Sequence, residues 1–158
     1  RVLANAVDRC RAMGVAVGGG SGSLVSKNTL TGCVGSGVDV RDGATGTIVK
    51  QNTIGGNGNY GIGVFASADG TVLEKNKVRG NDLSGVWVEG ASGVLVSGNT
   101  SIGNREDGIH VASPATLVKN TSIANQLGGI RTAPPGIDGG GNKANANVVI
   151  DCEGFVCP

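Results

Sequence analysis

Apolar and polar positions recur along this chain at a nearly constant distance. Aliphatic residues at Val2, Val25, Val49, Leu73, Val96 and Leu117 each stand three residues before an asparagine, at Asn5, Asn28, Asn52, Asn76, Asn99 and Asn120. Glycines at Gly14, Gly37, Gly61, Gly85, Gly108 and Gly129 each precede a second aliphatic: Val15, Val38, Ile62, Val86, Ile109 and Ile130. Both columns advance by 23, 24, 24, 23 and 21 residues, so the two are locked together over six copies. A period of this length marks a solenoid in which each repeat is one coil.

Within a unit the pattern predicts short β-strands, such as GVDV, GIGV, GVWV and GIHV, separated by Gly, Asn, Ser and Asp. In GVWV, Val86 and Val88 share one parity and Trp87 has the other, so the valines point into the coil and the Trp points out. Coils stacked in parallel register at about 4.8 Å would make a rod of roughly 29 Å from six of them. Such stacking sets each Asn beside the Asn of the next coil, where an amide both donates and accepts along the row. The corners are expected at the Asn and Gly columns, since both residue types tolerate left-handed backbone. Coils five and six shift: Ile102 and Ile123 come three residues after the Asn, where Leu30, Ile54 and Val78 come two after it. These isoleucines are expected to be buried, which implies a local bulge or re-turned corner.

Composition agrees with one domain of wound sheet. The chain has 158 residues, 30 of them glycine, and 39% hydrophobic residues whose recurrence supplies a continuous core. A formal net charge of +1 gives no electrostatic reason to expect a nucleic-acid partner or a membrane surface. No signal peptide or membrane-spanning segment is evident, and the chain starts at Arg1 with no helix to cover the first coil's open edge. Further N-terminal sequence is expected before Arg1, and a homo-oligomer is a possible arrangement.

The four cysteines form two pairs. Cys10 and Cys33 occupy a column continued by Asn57, Asn81, Asn104 and Asn125, so adjacent coils bring them within disulfide range, as a bond or as two stacked buried thiols. Cys152 and Cys157 bracket EGFV, and read as a C-terminal clamp formed in an oxidising compartment or as free thiols. The repeat is expected to stop after Thr132 at APPG, because a Pro pair does not suit a ladder interior. The chain therefore divides into coils over 1–133 and a partial coil with a Cys-containing cap over 134–158, where Asn142 and Asn147 resume the spacing.

The units KNTLTGCVGSGVDV, QNTIGGNGNYGIGV, KNKVRGNDLSGVWV, GNTSIGNREDGIHV and KNTSIANQLGGI resemble the repeats of right-handed parallel β-helix proteins, the pectate-lyase-like superfamily of secreted and periplasmic proteins. The resemblance implies an all-β, right-handed parallel β-helix solenoid of about six to seven coils, 21–24 residues each, the C-terminal portion of a bacterial member, and a secreted, periplasmic or cell-surface location. The superfamily includes pectin and pectate lyases, alginate C5-epimerases and lyases, phage tailspike glycosidases and a copper-loading accessory protein, so it speaks more closely to fold than to function.

Candidate chemistry sits on outward columns. Two residues after each Gly stand Ala16, Asp39, Gly63, Trp87, His110 and Arg131; four after it stand Gly18, Arg41, Phe65, Glu89, Ala112 and Ala133. Tyr60 and Asp107 immediately precede their own Gly. Exposed aromatics offer platforms for sugar rings, which makes Trp87, Phe65 and Tyr60, with Asp39 and Arg41, candidate substrate-binding residues. His110 is a candidate base, Arg131 a candidate partner for a uronate carboxylate, and Glu89 and Asp107 candidate catalytic carboxylates. Alginate epimerases carry an Asp-Pro-His element on this kind of face, whereas EDGIHV has Asp107 and His110 without the Pro. Calcium-dependent lyases gather carboxylates on adjacent coils, but Asp39 and Glu89 are two coils, about 10 Å, apart, so no metal or other cofactor is expected. Glycosidase chemistry would need a carboxylate pair such as Glu89 with Asp107.

The same stripe also reads as a plain solvated face or a protein interface. Lys27, Lys50, Lys75 and Lys119 form a basic row that either attracts an anionic polymer or, more simply, discourages strand addition. The sequons at Asn99 and Asn120 fall on the ladder and are discounted as glycan acceptors. Two functions stand side by side: a protein that binds or modifies an extracellular, acidic polysaccharide, as a lyase, epimerase or glycosidase if it is an enzyme, and a non-catalytic structural or adhesion rod. Long turn insertions that wall a groove would mark the enzyme, and near-constant coil lengths favour the rod.

Overall fold

A computed structural model describes residues 1–133, 136–154 and 157. Three parallel sheets of seven strands each wind around a common axis, one strand per sheet in every coil. The first sheet runs from Val2–Leu3 through Leu24–Ser26, Ile48–Lys50, Val72–Glu74, Val94–Ser97 and Ala115–Val118 to Gly136–Asp138. The second begins at Ala6–Asp8 and ends at Lys143–Asn145. The third, which carries the candidate site, comprises Val15–Gly18, Val38–Arg41, Ile62–Val64, Val86–Val88, Ile109–Val111, Gly128–Thr132 and Ile150–Glu153. The tail thus adds a strand to all three sheets. The expected break at APPG turns on Pro134 and Pro135, which lie outside the described residues, as do Phe155 and Val156 of the C-terminal loop.

The aliphatic columns fill the bore. Val25, Val49, Leu73, Val96 and Leu117 stack in one row and Val38, Ile62, Val86, Ile109 and Ile130 in another, all buried. From Asn5 to Asn142 each Asn Nδ2 donates to the Oδ1 of the Asn one coil on, at 2.9–3.1 Å. Each of these Oδ1 atoms also accepts the backbone N–H of the preceding coil's Asn. A second ladder runs Asn57, Asn81, Asn104, Asn125, Asn147. Both end on carboxylates, Asp138 and Asp151. Cys10 and Cys33, Cα atoms 4.4 Å apart, are joined as a disulfide where the second ladder would otherwise begin, and Cys152 is joined to Cys157.

Two expectations are corrected. The left-handed corners do not lie at the ladder Asn but one residue before it, at Lys27, Gln51, Lys75 and Lys119, with φ of 60°, 55°, 53° and 53°. The Asn is freed to aim its amide inward because the preceding residue makes the turn. The Gly column is likewise not a left-handed column: it is required by close approach, since a Cβ on Gly61 would collide with Val78 and one on Gly85 with Ser101.

The second correction concerns Ile102 and Ile123. Ser101 pairs with Val78 and Ile102 with Arg79, so the register continues without the bulge that buried isoleucines would need. Ser101 and Ser122 are the buried residues, while Ile102 is 42% exposed. A hydroxyl can take a valine's place because it is satisfied twice. Ser101 Oγ donates to the Gly108 carbonyl and accepts from Asn104 Nδ2, and Ser122 does the same with Gly129 and Asn125.

Candidate functional site

Parallel register in the third sheet lines up Asp39, Gly63, Trp87, His110, Arg131 and Glu153 on its outer face. Val86 and Val88 take the interior, which leaves Trp87 outside as its parity requires. The aromatic rings then touch across coils. Trp87 stacks on His110 with centroids 4.4 Å apart and planes 24° from parallel, and on Tyr60 at 5.3 Å and 18°. Phe65 meets Tyr60 at 6.1 Å in a tilted arrangement. The exposed Glu89 accepts the indole N–H of Trp87 at 3.2 Å, so its contact is with the platform.

Asp107 is the polar centre of the other end. It is 2% exposed, at the corner that leads into the Ile109–Val111 strand. Its Oδ2 lies 2.7 Å from His110 Nδ1 and 3.3 Å from Arg131 Nη1, and its Oδ1 accepts the Gly128 N–H at 2.7 Å. Burial raises the proton affinity of this carboxyl, but the hydrogen bonds from His110 and Gly128 and the charge of Arg131 outweigh it and hold the group below its ordinary range. A charged carboxylate only accepts, so the proton between the two groups sits on His110 Nδ1. On a ring that carries no second proton, Nε2 then holds the lone pair that a base needs.

Arg131 is shared between two carboxylates. Its Nε donates to Glu153 at 2.6 Å, and Glu153 followed by Asp107 keeps the guanidinium charge more firmly than usual. Glu153 is the residue that sequence reasoning missed. The signal was present, because Asn142 lies 22 residues after Asn120 and Glu153 lies 22 after Arg131. His110, Arg131, Thr132, Ala133 and Glu153 line a depression of about 270 Å³. That is below the range of closed small-molecule pockets and suits one ring of a longer ligand.

The remaining candidates are not gathered there. Arg41 pairs with Asp42 at 3.5 Å on the surface. Asp39 points outward by register, yet it is only 7% exposed. Burial pushes its carboxyl above the ordinary range, against the opposing influence of the nearby Ser36 hydroxyl and of Arg41. Tyr60 is also pushed up, by burial and then by Glu106, Glu89 and Asp39. Among the described residues, no three His, Cys, Asp or Glu side chains are grouped to hold a metal ion.

The fold has known counterparts. A mutant of the periplasmic alginate epimerase AlgG superposes with a TM-score of 0.73 at 29% identity, over 76% of this chain and 29% of that one. A second AlgG mutant gives 0.78 at 17% identity over 94% and 42%. The A-module of the mannuronan C-5 epimerase AlgE4 from Azotobacter vinelandii gives 0.70 at 12% identity over 98% and 55%. The chain therefore spans about a third to a half of the length of these neighbours, and at the two lower identities the likeness is one of fold. No curated protein matches the chain. A family model described as a right-handed beta helix region matches residues 2–149, and with three parallel sheets wound in that manner the protein belongs to the right-handed β-helix family.

Proposed function

We propose that the outer face of the third sheet binds an acidic polysaccharide and abstracts a proton next to a uronate carboxylate. The observation that carries this reading is the Asp107–His110–Arg131 constellation, with a base oriented by a buried carboxylate beside a cation. In such a reaction the C5–H bond of a uronate breaks and its proton passes to His110 Nε2. The electron pair is delocalised into the sugar carboxylate, whose charge Arg131 balances. Return of a proton from water to the opposite face gives the C5 epimer; breaking of the C4–O bond instead, with the departing oxygen taking a proton to become the hydroxyl of the released chain, gives an unsaturated end. The likeness at 29% identity to AlgG, an alginate epimerase, supports this substrate class. The disulfides and the periplasmic neighbour support an oxidising setting outside the cytoplasm.

The test is solvent isotope exchange. Polymannuronate incubated with the protein in heavy water should gain deuterium at C5, read by nuclear magnetic resonance. His110→Ala should lower the exchange rate by about 10²-fold or more. A specific observation favours the second reading, a non-catalytic rod: the coils lack long insertions, and the Asp107, Arg131 and Glu153 charges already satisfy one another. No exchange with the unmodified protein on polymannuronate or polygalacturonate would leave that reading standing.

A further inference from the structure

A net charge of +1 hides a division of charge around the rod. The six lysines, Lys27, Lys50, Lys75, Lys77, Lys119 and Lys143, all lie on the arcs that run from a strand of the first sheet through the next strand of the second. With Arg79 they make seven of the thirteen cationic side chains on those arcs, against three of the twelve carboxylates. Those three are engaged, Asp8 by Arg9, Glu74 by Lys75 and Asp138 by Asn142. The remaining nine carboxylates lie on the third sheet and the turns on either side of it.

The middle of the second sheet turns this charge outward. Val78 takes the interior, so Lys77 and Arg79 are exposed on the outer face. Register sets Thr53 and Thr100 beside Lys77, and Gly55 and Ile102 beside Arg79. Gly55 is buried although it faces outward, because the stem of Arg79 lies over it: a methyl there would come within 3.1 Å of Arg79 Cγ and 3.7 Å of its Nε. The arginine is thereby laid along the sheet toward coil three. Thr53, Lys77, Arg79, Thr100 and Ile102 line a depression of about 450 Å³, against 270 Å³ beside His110. Among the described residues, neither Lys77 nor Arg79 makes an ion pair.

We propose that the outer face of the second sheet is an anchoring site for an acidic polysaccharide, separate from the face that carries His110. Lys77 and Arg79 bind carboxylates of the polymer, the guanidinium as a two-pronged donor and the ammonium as a point charge. Thr53 and Thr100, which both donate and accept, take its hydroxyls. The proposal rests on the reading of the ligand as an acidic polysaccharide, not on the chemistry at His110. The lysines favour an extended anion over a small one, because Lys27, Lys75 and Lys119 continue the charge along the rod at the corner beside the threonine row. Among the described residues this face carries no aromatic ring, so the bases of a single-stranded nucleic acid find no stacking platform. Ile102 and the half-buried Ile123 offer too little apolar surface to enter a membrane. A long chain anchored here keeps its other residues close to the third sheet and raises their effective concentration there, whereas a short oligomer gains nothing.

The test is calorimetric titration with long-chain polymannuronate at several salt concentrations. Three proteins are compared: the unmodified chain, Lys77→Gln with Arg79→Gln, and Arg11→Gln with Arg105→Gln, which removes as much charge from exposed positions elsewhere. Loss of Lys77 and Arg79 should weaken binding about tenfold, a few-fold for each exposed ion pair, and flatten its salt dependence. The Arg11 and Arg105 variant should bind like the unmodified protein. Undiminished binding in the first variant, or an equal loss in both, overturns the site. Double-stranded DNA bound as tightly as polymannuronate overturns the polysaccharide as its occupant. Failure of the unmodified protein to bind the polymer removes the anchoring site and the polysaccharide reading together. Binding that is lost with Lys77 and Arg79, in a protein that catalyses no exchange at C5, supports the anchoring site and sinks only the chemistry at His110.

Discussion

Coil five and coil two place a polar pair at the same two columns of the same sheet, yet the pairs fare differently. In coil five, Asp107 is surrounded by His110, Arg131 and the Gly128 N–H, and its proton affinity is depressed. In coil two, Asp39 is nearly as buried but only Ser36 and Arg41 oppose the effect of burial, and its proton affinity is raised. The backbone offers both coils the same positions. What differs is the next coil up: Arg131 and the Gly128 N–H lie above the one pair, and Gly63 above the other. In a solenoid, the chemistry of a residue is decided by its neighbour about 23 positions away more than by its neighbours in sequence.

Removing the better-paired carboxylate should have the largest effect. Asp107→Ala leaves His110 and Arg131 without their shared acceptor and orphans the Gly128 N–H, and should cost about 3 kcal/mol in urea unfolding at pH 7. The pH dependence has a definite sign. A carboxyl with a lowered folded-state pKa contributes stability above its unfolded value, near 3.8, and that contribution is lost as pH falls through the folded value. The unmodified protein should therefore lose more stability than Asp107→Ala on acidification through this range. An equal loss in both would show that the network contributes nothing.

Asp39→Asn should move stability the other way and by less. A carboxyl with a raised folded-state pKa costs stability as pH rises above its unfolded value, so taking away the charge should gain about 1 kcal/mol at pH 7 and close to nothing at pH 3. A loss at pH 7 would mean that Asp39 is paired after all, and the contrast between the coils would collapse. The smallest effect concerns Glu153, which occupies Arg131 where a uronate carboxylate is proposed to sit. Glu153→Gln should tighten binding of an anionic hexamer about threefold, the worth of one exposed ion pair. Weaker binding would show that Glu153 positions Arg131 instead of competing for it.

Much of the fold was legible because coil stacking repeats the same demand six times. The aliphatic rows, the Asn ladder and the outward set of Trp87, His110 and Arg131 all follow from parity and period. Where the demand was local, reading by residue type failed. Lysine is a poor guess for a left-handed corner, and serine for a core position, until the hydrogen bonds that each makes possible are in view. The candidate site was legible as a stripe, but Glu153 was not, because Asp151 stands where the other coils carry the Gly that marks the column.

The sequence by itself determined the stacking of coils, the inward rows of aliphatic residues, and which types of side chain share the outer stripe, because a period and a parity are one-dimensional quantities; which of Ser101 and Ile102 faces in it did not. Only the tertiary structure decided that Asp107 holds His110 and Arg131 together, that Glu153 completes the set, and that burial dominates at Asp39 over the nearby Ser36 and Arg41. Those are matters of ångströms between side chains on different coils, and a column of letters records which residues are stacked without recording which of them reach each other.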